Sequence, residues 1–306
     1  MLNIKFTNWG DDGTDLFFIK FIKKYLDVDV KICDKTPDIL FCSVFGDPIN
    51  NINNIKQHNC ISIFFTPEST KVNQHYRYDD YMLDYVDIAL GFKHLNHSKY
   101  IRFPFWITYI DIDGINIGKN QLNIEYLKQF RIFSHKNKFC SILSNHDRDN
   151  TRNSIFSLLN RYKKVDSAGK WKRNVIYRIL DGVENKQAWL SYYKFNICCE
   201  SQIDDGYITE KLFESLIAGC IPIYIVDNID TNIEPSILNQ DVIIKFSKDN
   251  IEKAFYKIVE LDRDEKLYKK FIEQTILKEG AIEYITNIYD SLAKIIKELL
   301  QSKDIL

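Results

Sequence analysis

Leu16, Ile19, Ile22 and Leu26 recur three or four residues apart, which predicts an amphipathic helix over residues 15–26. Around it the pattern changes to short β-branched or aromatic runs bounded by Asp, Asn, Pro or Gly. These predict strands at 2–6, 28–32, 39–44, 61–65 and 88–92. Short apolar strands alternating with helices predict a parallel sheet covered on both faces. Residues 107–137 are irregular and rich in Asn and Lys, and they are the candidate connection between domains. The alternation then restarts. Strands are predicted at 139–143, 164–166, 195–199, 221–226 and 241–246, with helices over 151–162, 186–192 and 208–218. In the tail, Ile285, Ile288, Leu292, Ile295 and Leu299 follow 3,4 spacing. Two heptads are short for a coiled coil, so this helix is predicted to dock on the body. The expected organisation is an amino-terminal α/β domain at 1–125, a second at 126–280 and a terminal helix at 281–306.

Composition narrows the class. The 306 residues are 45% apolar and 27% charged, enough to bury two cores. A net charge of −1 gives no field that would gather nucleic acid or an anionic membrane. No apolar run approaches the roughly 18 residues of a membrane span. The opening Met-Leu-Asn-Ile-Lys-Phe lacks the basic and apolar regions of a secretion signal. Seven cysteines without a CxxC pair predict buried thiols in a reducing, cytoplasmic compartment, that of a host cell included. The six histidines form no HExxH, and no metal ligand set is expected. Asp27-Val28-Asp29 and Asp111-Ile112-Asp113 are read as solvated turns. Oligomeric state is left open.

The richest chemistry lies at residues 194–226. A strand runs into a polar loop, Glu200-Ser201-Gln202-Ile203-Asp204-Asp205-Gly206, and the loop opens a helix whose first turn carries Glu210 and Lys211. Ligands of open α/β sheets bind beyond the carboxyl ends of the strands. A helix amino terminus offers unpaired N–H groups to a diphosphate, Lys211 adds a charge, and Glu210 suits a sugar diol. The alternative is a capped helix whose Thr209, Glu210 and Lys211 satisfy its own end.

The run Lys194-Phe195-Asn196, Glu200, Gly206-Tyr207-Ile208-Thr209-Glu210-Lys211-Leu212 and Ile221-Pro222-Ile223-Tyr224 resembles the donor signature of the α-1,3/1,4-fucosyltransferases of glycosyltransferase family ten, of the soluble bacterial or viral type. Ser201 departs from the Asn that many members carry there. Further stations resemble the family at Phe139–Asn145 with Arg152, at 164–169, at Ile4–Gly10 and at Phe64-Phe65-Thr66-Pro67-Glu68-Ser69. Arg148 is a neighbouring candidate to Arg152.

The resemblance implies a GT-B fold of two Rossmann-like α/β domains facing a cleft. It implies GDP-fucose as donor, held by Asn145, Arg152, Glu200, Tyr207, Thr209, Glu210 and Lys211. Glu68 is implied as the general base, with Trp9 and Ser69 on the acceptor side. The acceptor is expected to be a glycan such as N-acetyllactosamine. Fucose transfer from the β-linked donor to an α-fucoside inverts the anomeric centre, so one carboxylate suffices to take the acceptor proton. Arg152, Lys211 and the helix end are positioned in sequence to stabilise the leaving diphosphate, and no essential metal or other cofactor is expected. A related enzyme using another GDP-sugar and a non-catalytic glycan-binding relative are the alternatives.

Overall fold

A computed structural model describes residues 1–305 apart from 11–12, 73–74, 112–121, 124–126, 128–135, 148–150, 177–178 and 180–182. Two compact units form. The first comprises Met1–Gln121, Asp204–Ile208 and Ile282–Leu306; the second comprises Leu122–Ile203 and Thr209–Ala281.

In the first unit, six parallel strands lie in the order β2-β1-β3-β4-β5-β6. They are β1 (Leu2–Thr7), β2 (Val30–Ile32), β3 (Ile39–Cys42), β4 (Ile61–Phe65), β5 (Ile88–Gly91) and β6 (Tyr100–Arg102). β3, β4 and β5 are buried along their whole length, which is why they read as continuous apolar runs. Successive side chains point to opposite faces. Phe41 and Phe65 pack with Phe18 of helix α1 (Thr14–Leu26) at ring-centroid distances of 4.8 and 5.2 Å. Cys42 and Phe64 pack with Tyr78, Tyr81 and Tyr100 in a separate cluster. Helix α2 (Pro48–Gln57) is absent from the predicted elements because it is short and its three isoleucines are set among five Asn and Gln residues, so it reads as a polar loop. Its start is nevertheless encoded locally: Asp47 Oδ1 accepts from the Ile49 N–H at 3.0 Å, and Pro48 opens the first turn.

The second unit has five parallel strands in the order β10-β9-β11-β12-β13. They follow β7 (Ile110–Asp111) and β8 (Leu122–Asn123) in the chain and are β9 (Lys138–Ile142), β10 (Val165–Ser167), β11 (Tyr193–Cys198), β12 (Ile221–Ile225) and β13 (Ile244–Phe246). Helices α3 (Thr151–Tyr162), α4 (Val183–Leu190), α5 (Glu210–Ile217), α6 (Ile251–Arg263) and α7 (Glu265–Ile272) accompany them. Ile142, Ile155, Leu159, Ile197, Ile223 and Ile258 are among the residues of its core. The last helix, α8 (Ala281–Ser302), packs with the first unit, where its Tyr289 hydroxyl donates to the Ile107 carbonyl at 2.8 Å. Most of the irregular stretch after Asp111 lies outside the described residues. The two parallel sheets with their helices make the α/β architecture of a GT-B fold.

One boundary differs from the pattern. The helix predicted from residue 208 begins at Glu210, with Thr209 as its N-cap. Gly206 is left-handed (φ 69°), and Tyr207 and Ile208 are buried among residues of the first unit instead of in a helical turn.

Candidate active site

In the second unit a cavity of about 220 Å³ opens where β9 and β11 end and α5 begins. This is the carboxyl edge of the sheet, where the pattern predicted a ligand. Gly169 forms part of its wall, and a Cβ there would lie 2.0 Å from the Ser144 carbonyl oxygen, so the close approach requires glycine. Ser144, Asn145, Arg152, Glu210 and Lys211 line the cavity. Arg152 is buried on α3. Its guanidinium donates to Ser144 Oγ at 2.6 Å and to the carbonyls of His146 and Glu200, joining the ends of β9 and β11. Asn145 is exposed and accepts from the Lys170 N–H at 3.2 Å.

Glu210 and Lys211 open α5 side by side, with Lys211 Nζ 3.4 Å from Glu210 Oε1. Glu210 Oε2 is buried with no hydrogen-bond partner among the described residues. A buried acceptor without a donor is costly. Burial opposes charge on Glu210, yet Lys211 and Lys186 outweigh it and hold the carboxyl below its ordinary range. One turn on, Glu214 also faces the cavity and sits 3.5 Å from Lys186 of α4. Burial, and then the Glu210 charge, push its carboxyl up to about 7 despite Lys186. Glu214 and Lys186 escaped the sequence reading. The signal available was the four-residue spacing of Glu210 and Glu214, which places both on one helical face.

Glu200 and Thr209 do not line the cavity; they build the helix start. Glu200 Oε1 accepts from the Thr209 N–H at 2.8 Å and from the Tyr224 hydroxyl at 3.2 Å, while Oε2 accepts from Thr209 Oγ1 at 2.5 Å. Lys211 Nζ donates to Thr209 Oγ1 at 2.9 Å and lies 3.5 Å from Glu200 Oε2. The Glu200 carboxylate thus caps α5 and orients Lys211. Ser201 lines the cavity.

Glu68 and Ser69 follow β4 in the first unit. Thr66 Oγ1 donates to the Glu68 carbonyl at 2.7 Å and accepts from its N–H at 3.3 Å, forming a local turn. Within the same unit the Tyr207 hydroxyl donates to Glu68 Oε2 at 3.2 Å. Ser69 is buried and donates to Asp204 Oδ2 at 2.8 Å. Trp9 packs inward against Phe6, Phe18, Phe41 and Phe65. Phe45, at the end of β3, is the more exposed aromatic there, and Gly10 lies against its ring.

Asp27 and Asp29 are exposed, as a solvated turn requires, whereas Asp113 and Arg148 lie outside the described residues. Six of the seven cysteines are buried. Among the described residues no cluster of three or more His, Cys, Asp or Glu is arranged to hold a metal ion, and no helix is long and apolar enough to cross a membrane.

Known proteins resemble this chain over most of its length. Residues 132–277 match the model of the glycosyltransferase family 10 (fucosyltransferase) carboxyl-terminal domain. Residues 4–109 match that of the alpha-(1,3)-fucosyltransferase FucT amino-terminal domain. The chain is 25% identical over 243 residues to alpha-(1,3)-fucosyltransferase FucT of Helicobacter pylori, covering 71% of this chain and 48% of that protein. It is 31% identical over 192 residues to GDP-fucose protein O-fucosyltransferase 3 of Homo sapiens, covering 58% of this chain and 37% of the relative. It therefore spans about half or less of the length of these relatives. A crystal structure of an alpha1,3-fucosyltransferase superposes with a TM-score of 0.68 at 19% identity, covering 96% of this chain and 91% of the other. A crystal structure of alpha1,3-fucosyltransferase with GDP-fucose gives 0.64 at 19% identity, covering 96% and 90%. At that identity the likeness shows the fold.

Proposed function

The chain belongs to glycosyltransferase family 10, the fucosyltransferases, and from that premise we propose that it transfers L-fucose from GDP-fucose to a hydroxyl of a GlcNAc-containing glycan, forming an α-1,3 linkage with inversion. The observation that carries the reading is the cavity at the start of α5. There Glu210, with its buried Oε2 unpartnered among the described residues, stands beside Lys211, and Arg152 lines the same cavity. A sugar diphosphate supplies what such a site lacks: hydroxyls for the carboxylate and anionic oxygens for the cations.

Each residue then has a part. The Glu210 carboxylate, kept ionised by Lys211 and Lys186, accepts hydrogen bonds from hydroxyls of the donor. Lys211, oriented by Glu200 and Thr209, faces the diphosphate, and Arg152 adds positive charge at the cavity wall. Glu68 takes the acceptor hydroxyl proton. As that oxygen bonds to the fucose C1, the C1–O bond to the diphosphate breaks and GDP leaves with the electron pair. Charge grows on the leaving oxygens, where Lys211, Arg152 and the α5 amino terminus stabilise it. These side chains supply the stabilisation without a metal ion, so transfer is expected to persist in EDTA.

The test is GDP release from GDP-fucose with N-acetyllactosamine, its β-1,3 isomer, GlcNAc alone and a folded protein acceptor. Release dependent on N-acetyllactosamine supports the reading. Tight GDP-fucose binding with no release by any acceptor would support a binding-only relative. The likeness to a protein O-fucosyltransferase favours one second reading, transfer to a protein hydroxyl, and release dependent only on the protein acceptor would establish it. Glu68→Gln should cut turnover by about a hundredfold or more while GDP binding stays intact. Full activity in that variant would overturn the base assignment.

A further inference from the structure

Tyr207, Asp204 and Gly206 belong in sequence to the loop that leads to the donor helix, yet all three pack with the first unit. There they make a set of contacts on the loop that carries Glu68. The Tyr207 hydroxyl donates to Glu68 Oε2 at 3.2 Å. Ser69 Oγ donates to Asp204 Oδ2 at 2.8 Å, and Lys71 Nζ stands 3.1 Å from Asp204 Oδ1. The Asp204 side chain is only 1% exposed and Ser69 is buried, so their bond forms away from competing water.

The tyrosine is itself fixed. Its ring packs edge-on against Phe92 at 5.1 Å, and its N–H donates to the Asp204 carbonyl at 3.1 Å. Arg102 grips the neighbouring backbone, donating to the Gly206 carbonyl at 3.4 Å and to the Phe92 carbonyl at 2.9 Å. Gly206 approaches Phe92 so closely that a Cβ would lie 2.4 Å from the Phe92 carbonyl oxygen. Residues 68, 69 and 71 are thus each tied to the segment Asp204–Ile208.

We infer that Tyr207, supported by the Asp204 contacts, is the positioning residue of the general base: its hydroxyl sets the rotamer of the Glu68 carboxylate that receives the acceptor proton. The inference rests on the reading of Glu68 as base. It gives Tyr207 a different part from the donor contact that the sequence resemblance implied. The turn fixes the Glu68 backbone, and a proton acceptor must also have its carboxylate aligned to within a fraction of an ångström to work. The Tyr207 hydroxyl supplies that alignment from outside the Glu68 turn.

The test compares Tyr207→Phe, Glu68→Gln, the double variant and Asp204→Asn, with GDP affinity by calorimetry and turnover by acceptor-dependent GDP release. Tyr207→Phe keeps the ring on Phe92 and removes only the hydroxyl. It is expected to lower kcat about tenfold, with GDP affinity and donor KM within about twofold of the parent. On the Glu68→Gln background the same change should cost nothing further, because the group it positions is gone. Asp204→Asn should lower kcat in the same selective way.

A rise in GDP Kd that matches the loss of turnover would overturn the inference and make Tyr207 a donor contact. So would a loss that multiplies on the Glu68→Gln background. Full activity in Glu68→Gln would instead remove the base reading on which the inference rests. A parent that releases no GDP with any acceptor would remove the proposed function itself. Melting temperatures of all four proteins guard against misfolding, and Tyr207→Phe is the variant least exposed to it.

Discussion

Glu210 and Glu214 stand one turn apart on the same buried face, and their environments separate them. Lys211 and Lys186 favour charge on the first, while burial and the neighbouring charge disfavour it on the second. The Glu214 carboxyl has an ordinary value near 4.5 and is pushed up to about 7 in the fold. Between those values the folded chain holds a proton that the unfolded chain has released, so stability falls as pH rises through that window. Thermal melts at pH 5, 6, 7 and 8 should show this fall, and Glu214→Gln should flatten it by a few degrees. An equal slope in the variant would assign the pH dependence elsewhere. Lys211→Ala should weaken GDP binding about tenfold or more, read by calorimetry, because it removes the cation that Thr209 and Glu200 orient at the cavity. At this scale Glu210 and Lys211 were legible in the Tyr-Ile-Thr-Glu-Lys run. Lys186 was not, since only the packing of α4 against α5 brings it to Glu214.

The start of α5 shows what a single element needs. Its apolar pattern extends back to Ile208, but the helix begins at Glu210 because Glu200 caps Thr209 and Gly206 turns the chain in the left-handed region. Gly206→Ala forces an L side chain into that region and toward the Phe92 carbonyl. We expect a loss of about 1–3 kcal/mol in denaturant unfolding, together with a lower kcat as Tyr207 is displaced. An unchanged kcat would mean that the loop tolerates the shift. Helix α2 teaches the converse. Asp47 and Pro48 mark its start, while Ile49, Ile52 and Ile55 are separated by Asn and leave Ile49 63% exposed. A polar composition hid an element whose cap was plain.

On the scale of the whole molecule, α8 is last in the chain yet completes the first unit. Tyr289 meets Phe17, Phe21, Tyr25 and Phe103 at ring-centroid distances of 5.7–6.1 Å. Tyr289→Ala removes a wholly buried ring and should cost about 3–5 kcal/mol by denaturant titration. Deleting residues 281–306 uncovers that aromatic cluster, so the shortened chain should bind a hydrophobic dye and aggregate. A soluble, dye-negative truncation would show that the first unit needs no such cover. The periodicity of the tail announced a docked helix. It did not name the partner, because Ile, Leu and Tyr on a helix stripe fit any apolar surface.

The sequence by itself determined the elements and the chemistry written in contiguous runs. The buried parallel strands, the amphipathic helices and the loop-to-helix run at residues 200–211 depend on near neighbours, whose spacing sets both periodicity and capping. Tertiary structure alone decided what depends on residues far apart in the chain. It brought Tyr207 to Glu68 across 139 positions and Tyr289 to Ile107 across 182. It also placed Lys186 against Glu214 and set the Glu200 carboxylate on Thr209 at the start of α5. Long-range contacts follow from how elements pack, and a local pattern specifies which face is apolar without specifying what that face will meet.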